Sequence, residues 1–122
     1  MALAKEMMQG GTSAMQARAL NGGTSATVTA AGTIITDATD LTASMTVITT
    51  AAASTGVQLY NGEIGDSQEI LNLGANAVKV YPDSASNSIN QLGAGSAFSL
   101  APNTSCVVRK MTTTRWTAYL SA

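Results

Sequence analysis

Two groups of carboxylates are the residues of this 122-residue sequence best suited to chemistry. Asp37 and Asp40 lie three apart in "DATD", and Glu63, Asp66 and Glu69 follow one another at three-residue steps. A calcium loop of the EF-hand type needs a denser alternation of oxygen ligands, and a glycosidase needs two carboxyls that face one cleft. We therefore interpret these residues as solvated loop and strand-edge positions, with a bound cation or a catalytic pair as the alternatives.

Nucleophilic chemistry has few candidate residues, because the sequence has no histidine and one cysteine, Cys106. It therefore supplies neither a Ser-His-Asp triad nor the usual histidine and cysteine ligands of zinc. The apolar neighbours of Cys106 favour a small buried side chain over a reactive thiolate. No glycine pattern matches a phosphate-binding loop. The sequence thus predicts no enzyme, no cofactor and no metal site.

Aromatic side chains offer a binding chemistry instead. In "TTTRW", strand alternation places Trp116 in the core and Arg115 on the opposite face. The alternative is that exposed rings stack on a sugar. The candidates for that role are Tyr60, Tyr81, Trp116 and Tyr119.

The surface is predicted to be nearly neutral. Charged residues make up 11% of the chain and the net charge is −1, whereas about 25% charged residues is typical. The scattered cations predict no binding to nucleic acid or to anionic lipid. No segment has the length of a membrane span or the pattern of a signal peptide. We therefore expect a soluble protein, made in a cytoplasm and without a small-molecule substrate, whose small-residue surface tolerates contact with other subunits.

Residues 1–23 differ in composition from the rest and predict an N-terminal arm. Their Ala, Met, Gln and Leu residues favour helix, but Gly10-Gly11 divides the segment into pieces too short to be stable alone. Its apolar side chains need a partner surface, and a disordered tail is the alternative. The residues expected to make the arm's contacts are Met7, Met8, Met15 and Leu20.

From Thr24 onward the apolar period changes to two, as in "TSATVTAAGT", "AVKVYP" and "RWTAYL". Eight or nine short strands at regular spacing predict an all-β domain over residues 24–122, a β-sandwich of jelly-roll type, with a closed barrel as the alternative. The predicted core residues are Val28, Ile34, Val47, Leu59, Ile70, Leu71, Leu73, Val78, Val80, Ile89, Leu92, Phe98, Leu100, Val107, Trp116, Ala118 and Leu120.

The stretch from Gly65 to Leu120 resembles small structural proteins of tailed bacteriophage virions. The informative pieces are "GAN" at 74–76, "YP" at 81–82, "IN" at 89–90 and the final "W" at 116. The resemblance extends over roughly residues 24–121 and leaves the arm out. The matching residues predict structural roles: Gly74 and Asn76 in a turn, where both tolerate positive φ, Pro82 at a strand end, Asn87 and Asn90 bonded to turn backbone, and Trp116 in the core.

The resemblance implies a head decoration, or cement, protein at the virion surface. Such proteins are commonly β-rich trimers, so we expect a homotrimer whose partner is the major capsid protein. It would bind the outside of the head shell between capsid subunits after synthesis in the bacterial host cytoplasm. The alternative is a module of a tail or head fibre that binds a receptor or a glycan.

Overall fold

The computed structural model describes residues 25–121. Their regular structure consists of strands, without a helix. The strands are β1 (Ser25–Thr29), β2 (Thr39–Asp40), β3 (Met45–Thr50), β4 (Gly56–Gln58), β5 (Ser67–Asn72), β6 (Val78–Tyr81), β7 (Ser88–Ile89), β8 (Phe98–Leu100), β9 (Thr104–Lys110) and β10 (Arg115–Leu120).

The first six strands wind as a β-solenoid. The chain alternates between two sheets, so that β1, β3 and β5 enter a larger sheet while β2, β4 and β6 enter a smaller one. Neighbouring strands within each of these sets are parallel: Ser25 lies beside Met45, and Met45 beside Glu69. Each coil therefore gives one strand to each sheet, and successive coils stack.

The expected β-sandwich of jelly-roll type is therefore wrong, whereas the all-β class is confirmed for the described residues. A jelly roll pairs its strands in antiparallel fashion. Here each connection among the first six strands crosses to the opposite sheet. Consecutive strands therefore do not form hairpins within one sheet. Side-chain alternation along a strand is the same in both architectures, so the alternation in the sequence does not distinguish them.

The last four strands close one end of the stack. β8 pairs antiparallel with β6, β9 with β5, and β10 with β9, while β7 runs parallel to β10. The strand orders are β1-β3-β5-β9-β10-β7 in the larger sheet and β2-β4-β6-β8 in the smaller one. At this end the edge strands β7 and β8 are only two and three residues long, which leaves little unpaired backbone.

The core lies between the two sheets and centres on Trp116, which is completely buried. Several predicted core residues are confirmed as buried, and Val28, Phe98 and Ala118 pack against them while partly exposed. The confirmed buried residues are Leu59, Ile70, Val78, Val80, Ile89, Leu100 and Trp116. Cys106 is also buried, as its apolar neighbours predicted.

Other core predictions are wrong, and for two of them, Val47 in β3 and Val107 in β9, the reason is that the inward parity was misassigned. In β3 the buried residues are Thr46 and Ile48, and Val47 faces outward. In β9 the inward residues are Cys106, Val108 and Lys110, which leaves Val107 outside. Both parities of these strands carry residues that fit a core, so periodicity alone does not choose between them. The predicted core residues that the structure exposes are Ile34, Leu73, Leu92, Val107 and Leu120.

The predicted N-terminal arm, residues 1–23, lies outside the described residues. A search of residues 25–121 for a helix with the length and hydropathy of a membrane span finds none.

Candidate functional site

The outward face of the larger sheet carries a set of apolar side chains. Met45, Glu69, Val107 and Tyr119 are successive cross-strand neighbours along one row of β3, β5, β9 and β10. The next row places Val47 beside Leu71, and Leu73 follows directly after β5 on the same parity. We call the apolar members the outer apolar patch: Met45, Val47, Leu71, Leu73, Val107 and Tyr119.

Exposure of this patch is highest at its ends. Tyr119 is 55% exposed, Leu73 51% and Val107 36%, while Met45, Val47 and Leu71 are half-buried. The patch surrounds a single carboxylate, Glu69, whose side chain is on the same face. A contiguous apolar face on a polar molecule is typical of a surface that contacts another protein.

Behind the patch, a buried ionic cluster ties the loop after β6 to the larger sheet. The Asp83 carboxylate accepts hydrogen bonds from Lys110 Nζ at 2.8 Å, Trp116 Nε1 at 3.0 Å and Asn87 Nδ2 at 2.6 Å. Lys110 Nζ also donates to the Gly62 carbonyl at 2.8 Å and lies 5.6 Å from the centre of the Trp116 ring. We call these residues the Asp83 network.

The ion pair of the Asp83 network is almost completely buried, since the side chains of Lys110 and Asp83 are 8% and 1% exposed. Burial alone would raise the pKa of Asp83. The hydrogen bonds from Asn87, Lys110 and Trp116, together with the charge of Lys110, outweigh burial and hold this pKa below its ordinary value. The carboxylate is therefore ionised and fully partnered, which favours a structural role.

The side-chain amides of the buried Asn72 and the exposed Asn76 fix the turn after β5. Asn72 Nδ2 donates to the carbonyls of Asn76 at 2.9 Å and Leu100 at 3.0 Å, and Asn72 Oδ1 accepts from the Gly74 N–H at 2.9 Å. Asn76 Nδ2 reaches the Ala51 carbonyl at 2.9 Å in the preceding coil. The predicted turn residues Gly74 and Asn76 are thus brought together, and Asn72, which sequence reasoning missed, joins them.

Gly74 serves this turn through close packing and not through its backbone angle, since neither Gly74 nor Asn76 has a positive φ. A Cβ on Gly74 would lie 2.6 Å from the Ala51 Cβ and 2.8 Å from the Ala51 nitrogen. The turn therefore forms without the positive φ that these two residue types tolerate. A glycine is required here because two coils touch.

Pro82 and Asn90 lie where the sequence predicted turns. Pro82 is buried directly after the last residue of β6. Asn90 follows β7 with φ of 53°, and its side-chain oxygen accepts a hydrogen bond from the Ala118 N–H at 3.0 Å. This bond gives the Ala118 N–H of β10 an acceptor at the point where β7 has ended.

Two of the four aromatic rings proposed for sugar stacking are inaccessible. Trp116 is 0% exposed and Tyr81 is 7% exposed, with the Tyr81 hydroxyl donating to the Thr33 carbonyl at 3.1 Å. Tyr60 is half-buried, which leaves Tyr119 as the exposed ring. A glycan does not reach Trp116 in this structure.

The remaining candidates for chemistry do not converge on one site. Asp37 caps its own loop by accepting from the N–H groups of Thr33 and Ile34, and Asp66 accepts from the Glu63 N–H. Within residues 25–121, no three His, Cys, Asp or Glu side chains are grouped to hold a metal ion. Burial and the charge of Glu69 raise the pKa of Cys106 to about 12, so its thiol is protonated.

An open depression of about 690 Å³ lies at the closed end of the solenoid, and none of its lining residues belongs to the outer apolar patch. Sequence reasoning did not find it, because its lining comes from distant parts of the chain. The lining residues are Asn90, Gln91, Leu92, Phe98, Arg115 and Thr117.

The predicted arm contacts Met7, Met8, Met15 and Leu20 lie outside the described residues. Sequence reasoning also missed Asp83 and Lys110. The one signal for Lys110 is its parity with Cys106 and Val108 in β9.

No family model matches this chain, and a search of curated proteins finds no similar sequence.

Proposed function

We propose that this protein is a head decoration, or cement, protein of a tailed bacteriophage. In this proposal it forms a homotrimer that binds the outside of the head shell between major capsid subunits and stabilises the shell. The observation that carries the proposal is the outer apolar patch, a set of apolar side chains around one carboxylate, Glu69, on the outward face of the larger sheet. The resemblance of residues 24–121 to virion structural proteins supports the same function.

The partner proposed for the patch is a second copy of this chain. The patch has one carboxylate, Glu69, and the whole chain carries a net charge of −1, so copies repel one another little. Burying apolar surface against another copy contributes roughly 25 cal/mol for each Å² removed from water. The Asp83 network and the Asn72 turn hold the sheet in one shape, so little conformational entropy is lost on association.

The proposed contact with the shell is made by the arm, residues 1–23. Methionine side chains such as Met7, Met8 and Met15 adapt to irregular apolar surfaces. In a trimer three arms engage together, which raises the overall affinity by about 10²–10⁴ over that of one arm. Because the protein binds only the assembled shell, its binding stabilises that shell by mass action.

Co-sedimentation with purified shells tests this function. Purified shells assembled from a major capsid protein of the proposed partner class are mixed with the full chain or with a chain lacking residues 1–20. We expect the full chain to pellet with the shells and to raise their melting temperature. The shortened chain should remain a folded trimer and stay in the supernatant.

A patch variant separates the two contacts. Val107→Asp places a charge in the patch, so the monomer should fold, keep its arm and bind shells more weakly, by about 10²-fold or more, because three arms no longer act together. Ser99→Asp, on the exposed face of the smaller sheet, is the matched control and should bind as the unchanged chain does. Full binding by the shortened chain would contradict the role of the arm.

A further inference from the structure

The depression at the closed end of the solenoid combines a guanidinium, a ring and free amide groups. Arg115 projects from β10, and its Nη1 donates to the Asn90 carbonyl, which fixes one side of the guanidinium. Phe98 is half-buried at the edge of the smaller sheet. Leu92, 37% exposed, adds a further apolar surface. The depression therefore offers apolar contact beside a positioned positive charge.

Several polar groups at this depression are not used within the described part of the fold. The Asn90 N–H, carbonyl and Oδ1 are engaged with Trp116, Arg115 and Ala118, but its Nδ2 has no partner among residues 25–121. The side-chain amide of Gln91 and the hydroxyl of Thr117 likewise have no hydrogen-bond partner among residues 25–121. These groups can serve a ligand that carries several hydroxyls.

The positive charge at this depression favours an anionic ligand. No lining residue is acidic, and Arg109 lies directly across from Thr117 in the β9–β10 ladder. Among the described residues neither Arg109 nor Arg115 is in an ion pair, since the one salt bridge there joins Lys110 to Asp83. A guanidinium fork matches a planar carboxylate with two parallel hydrogen bonds.

A peptide strand is disfavoured here because the outer edge of β7 is already occupied. The Gly95 N–H donates to the Asn87 carbonyl at 2.8 Å, so the short loop after β7 covers the backbone to which an added strand would pair. An open depression with an aromatic ring, free amides and an arginine suits a sugar ring better than an extended chain.

We propose that this depression binds a saccharide that carries a carboxylate, such as a uronic acid unit. Arg115 holds the carboxylate, Phe98 and Leu92 contact the apolar face of the ring, and Gln91, Thr117 and the Asn90 amide bind its hydroxyls. This inference goes beyond the proposed decoration function and does not depend on it, since the depression and the outer apolar patch share no residue.

Calorimetric titration of the full chain with trigalacturonate tests the proposal, with neutral maltotriose as the comparison sugar. We expect trigalacturonate to bind and maltotriose to bind at least about tenfold more weakly, since a charge-assisted hydrogen bond contributes about 1.5–3 kcal/mol. Arg115→Gln should weaken trigalacturonate binding about 10- to 100-fold. Arg115→Lys keeps the charge without the fork and should also weaken it.

Matched controls separate this site from general attraction to anions. Lys79→Gln removes the same charge from the smaller sheet and should leave binding unchanged, whereas Gln91→Ala, an exposed change in the depression, should weaken it. An equal loss of affinity for trigalacturonate in Lys79→Gln and Arg115→Gln would overturn the proposal. Equal affinity of the unchanged chain for both sugars would overturn it as well. Light scattering on Arg115→Gln should give the mass of the unchanged chain, so failure of sugar binding remains distinct from failure of the trimer.

Discussion

Asp83 is the residue whose replacement tests the rigidity of the solenoid most sharply. Asp83→Asn leaves Lys110 charged and buried without its partner, and breaking a buried ion pair typically costs about 3–5 kcal/mol. We expect a loss of that size in the free energy of unfolding, measured by urea denaturation. Asp40→Asn changes an exposed carboxylate on β2 and should alter stability by no more than about 0.5 kcal/mol.

A double-mutant cycle completes this test. Lys110→Met removes the buried charge, so Asp83→Asn combined with Lys110→Met should be more stable than Asp83→Asn alone. Additive losses in the double variant would show that the two side chains do not interact in the way the structure indicates.

Acid should destabilise the fold through the same carboxylate. The pKa of Asp83 is lower in the folded chain than its ordinary value of 3.8. Its contribution to stability is therefore complete above about pH 4 and is lost as the pH falls through the folded pKa. Urea midpoints measured between about pH 5 and pH 2 should fall, and they should fall less in Asp83→Asn. An equal decline in both proteins would assign acid sensitivity to other groups.

Gly74→Ala tests the contact between two coils. The added Cβ would lie 2.6 Å from the Ala51 Cβ, and overpacking of this kind costs about 1–3 kcal/mol. Gly93→Ala is the control, because the nearest atom to its added Cβ is the Ser96 hydroxyl at 3.5 Å, an ordinary contact. Urea denaturation should therefore separate the two alanine variants, and equal stability would contradict the close approach at Gly74.

Some individual residues could be predicted from sequence and others could not. The roles of Trp116, Pro82 and Asn90 follow from local rules: a large ring seeks the core, proline ends a strand, and asparagine tolerates the left-handed turn. Asp83 and Lys110 are far apart in the chain and become partners only when β9 lies beside the loop after β6. No local spacing indicates such a pair.

For the strands, the alternation of side chains in the sequence predicted the positions of the strands well. It predicted less well which face of each strand is buried. In β3, the inward residues Thr46 and Ile48 alternate with Met45 and Val47, so both faces carry apolar groups. The outward ones belong to the outer apolar patch. An exposed apolar face resembles a core in sequence, which explains why Val107 was expected inside.

Paired substitutions in β3 check this face. Ile48 is completely buried, so Ile48→Ala should cost about 2–5 kcal/mol of unfolding free energy. Val47 is half-buried on the outward face, and Val47→Ala should cost the monomer less than about 1 kcal/mol. Urea denaturation of both variants in the Val107→Asp background, where we expect a monomer, gives the comparison. A larger loss from Val47→Ala would reverse the assigned faces.

For the molecule as a whole, the all-β class could be predicted but the solenoid could not. Parallel pairing of Ser25 with Met45, and of Met45 with Glu69, joins segments separated by connections of unequal length. The coils therefore leave no repeat of fixed period in the sequence, the usual sign of stacked coils. The depression also depends on this closure, because β8, β10 and the loop after β7 line it only after the last strands turn back.

The solution mass of the full chain by light scattering, compared with that of Val107→Asp, tests most directly whether the outer apolar patch joins copies of this protein. We expect three times the mass of one chain for the unchanged protein and for the control Ser99→Asp. For Val107→Asp we expect the mass of a single chain, with an unchanged circular dichroism spectrum. A monomer in all three proteins, or a trimer that survives Val107→Asp, would contradict the proposed interface.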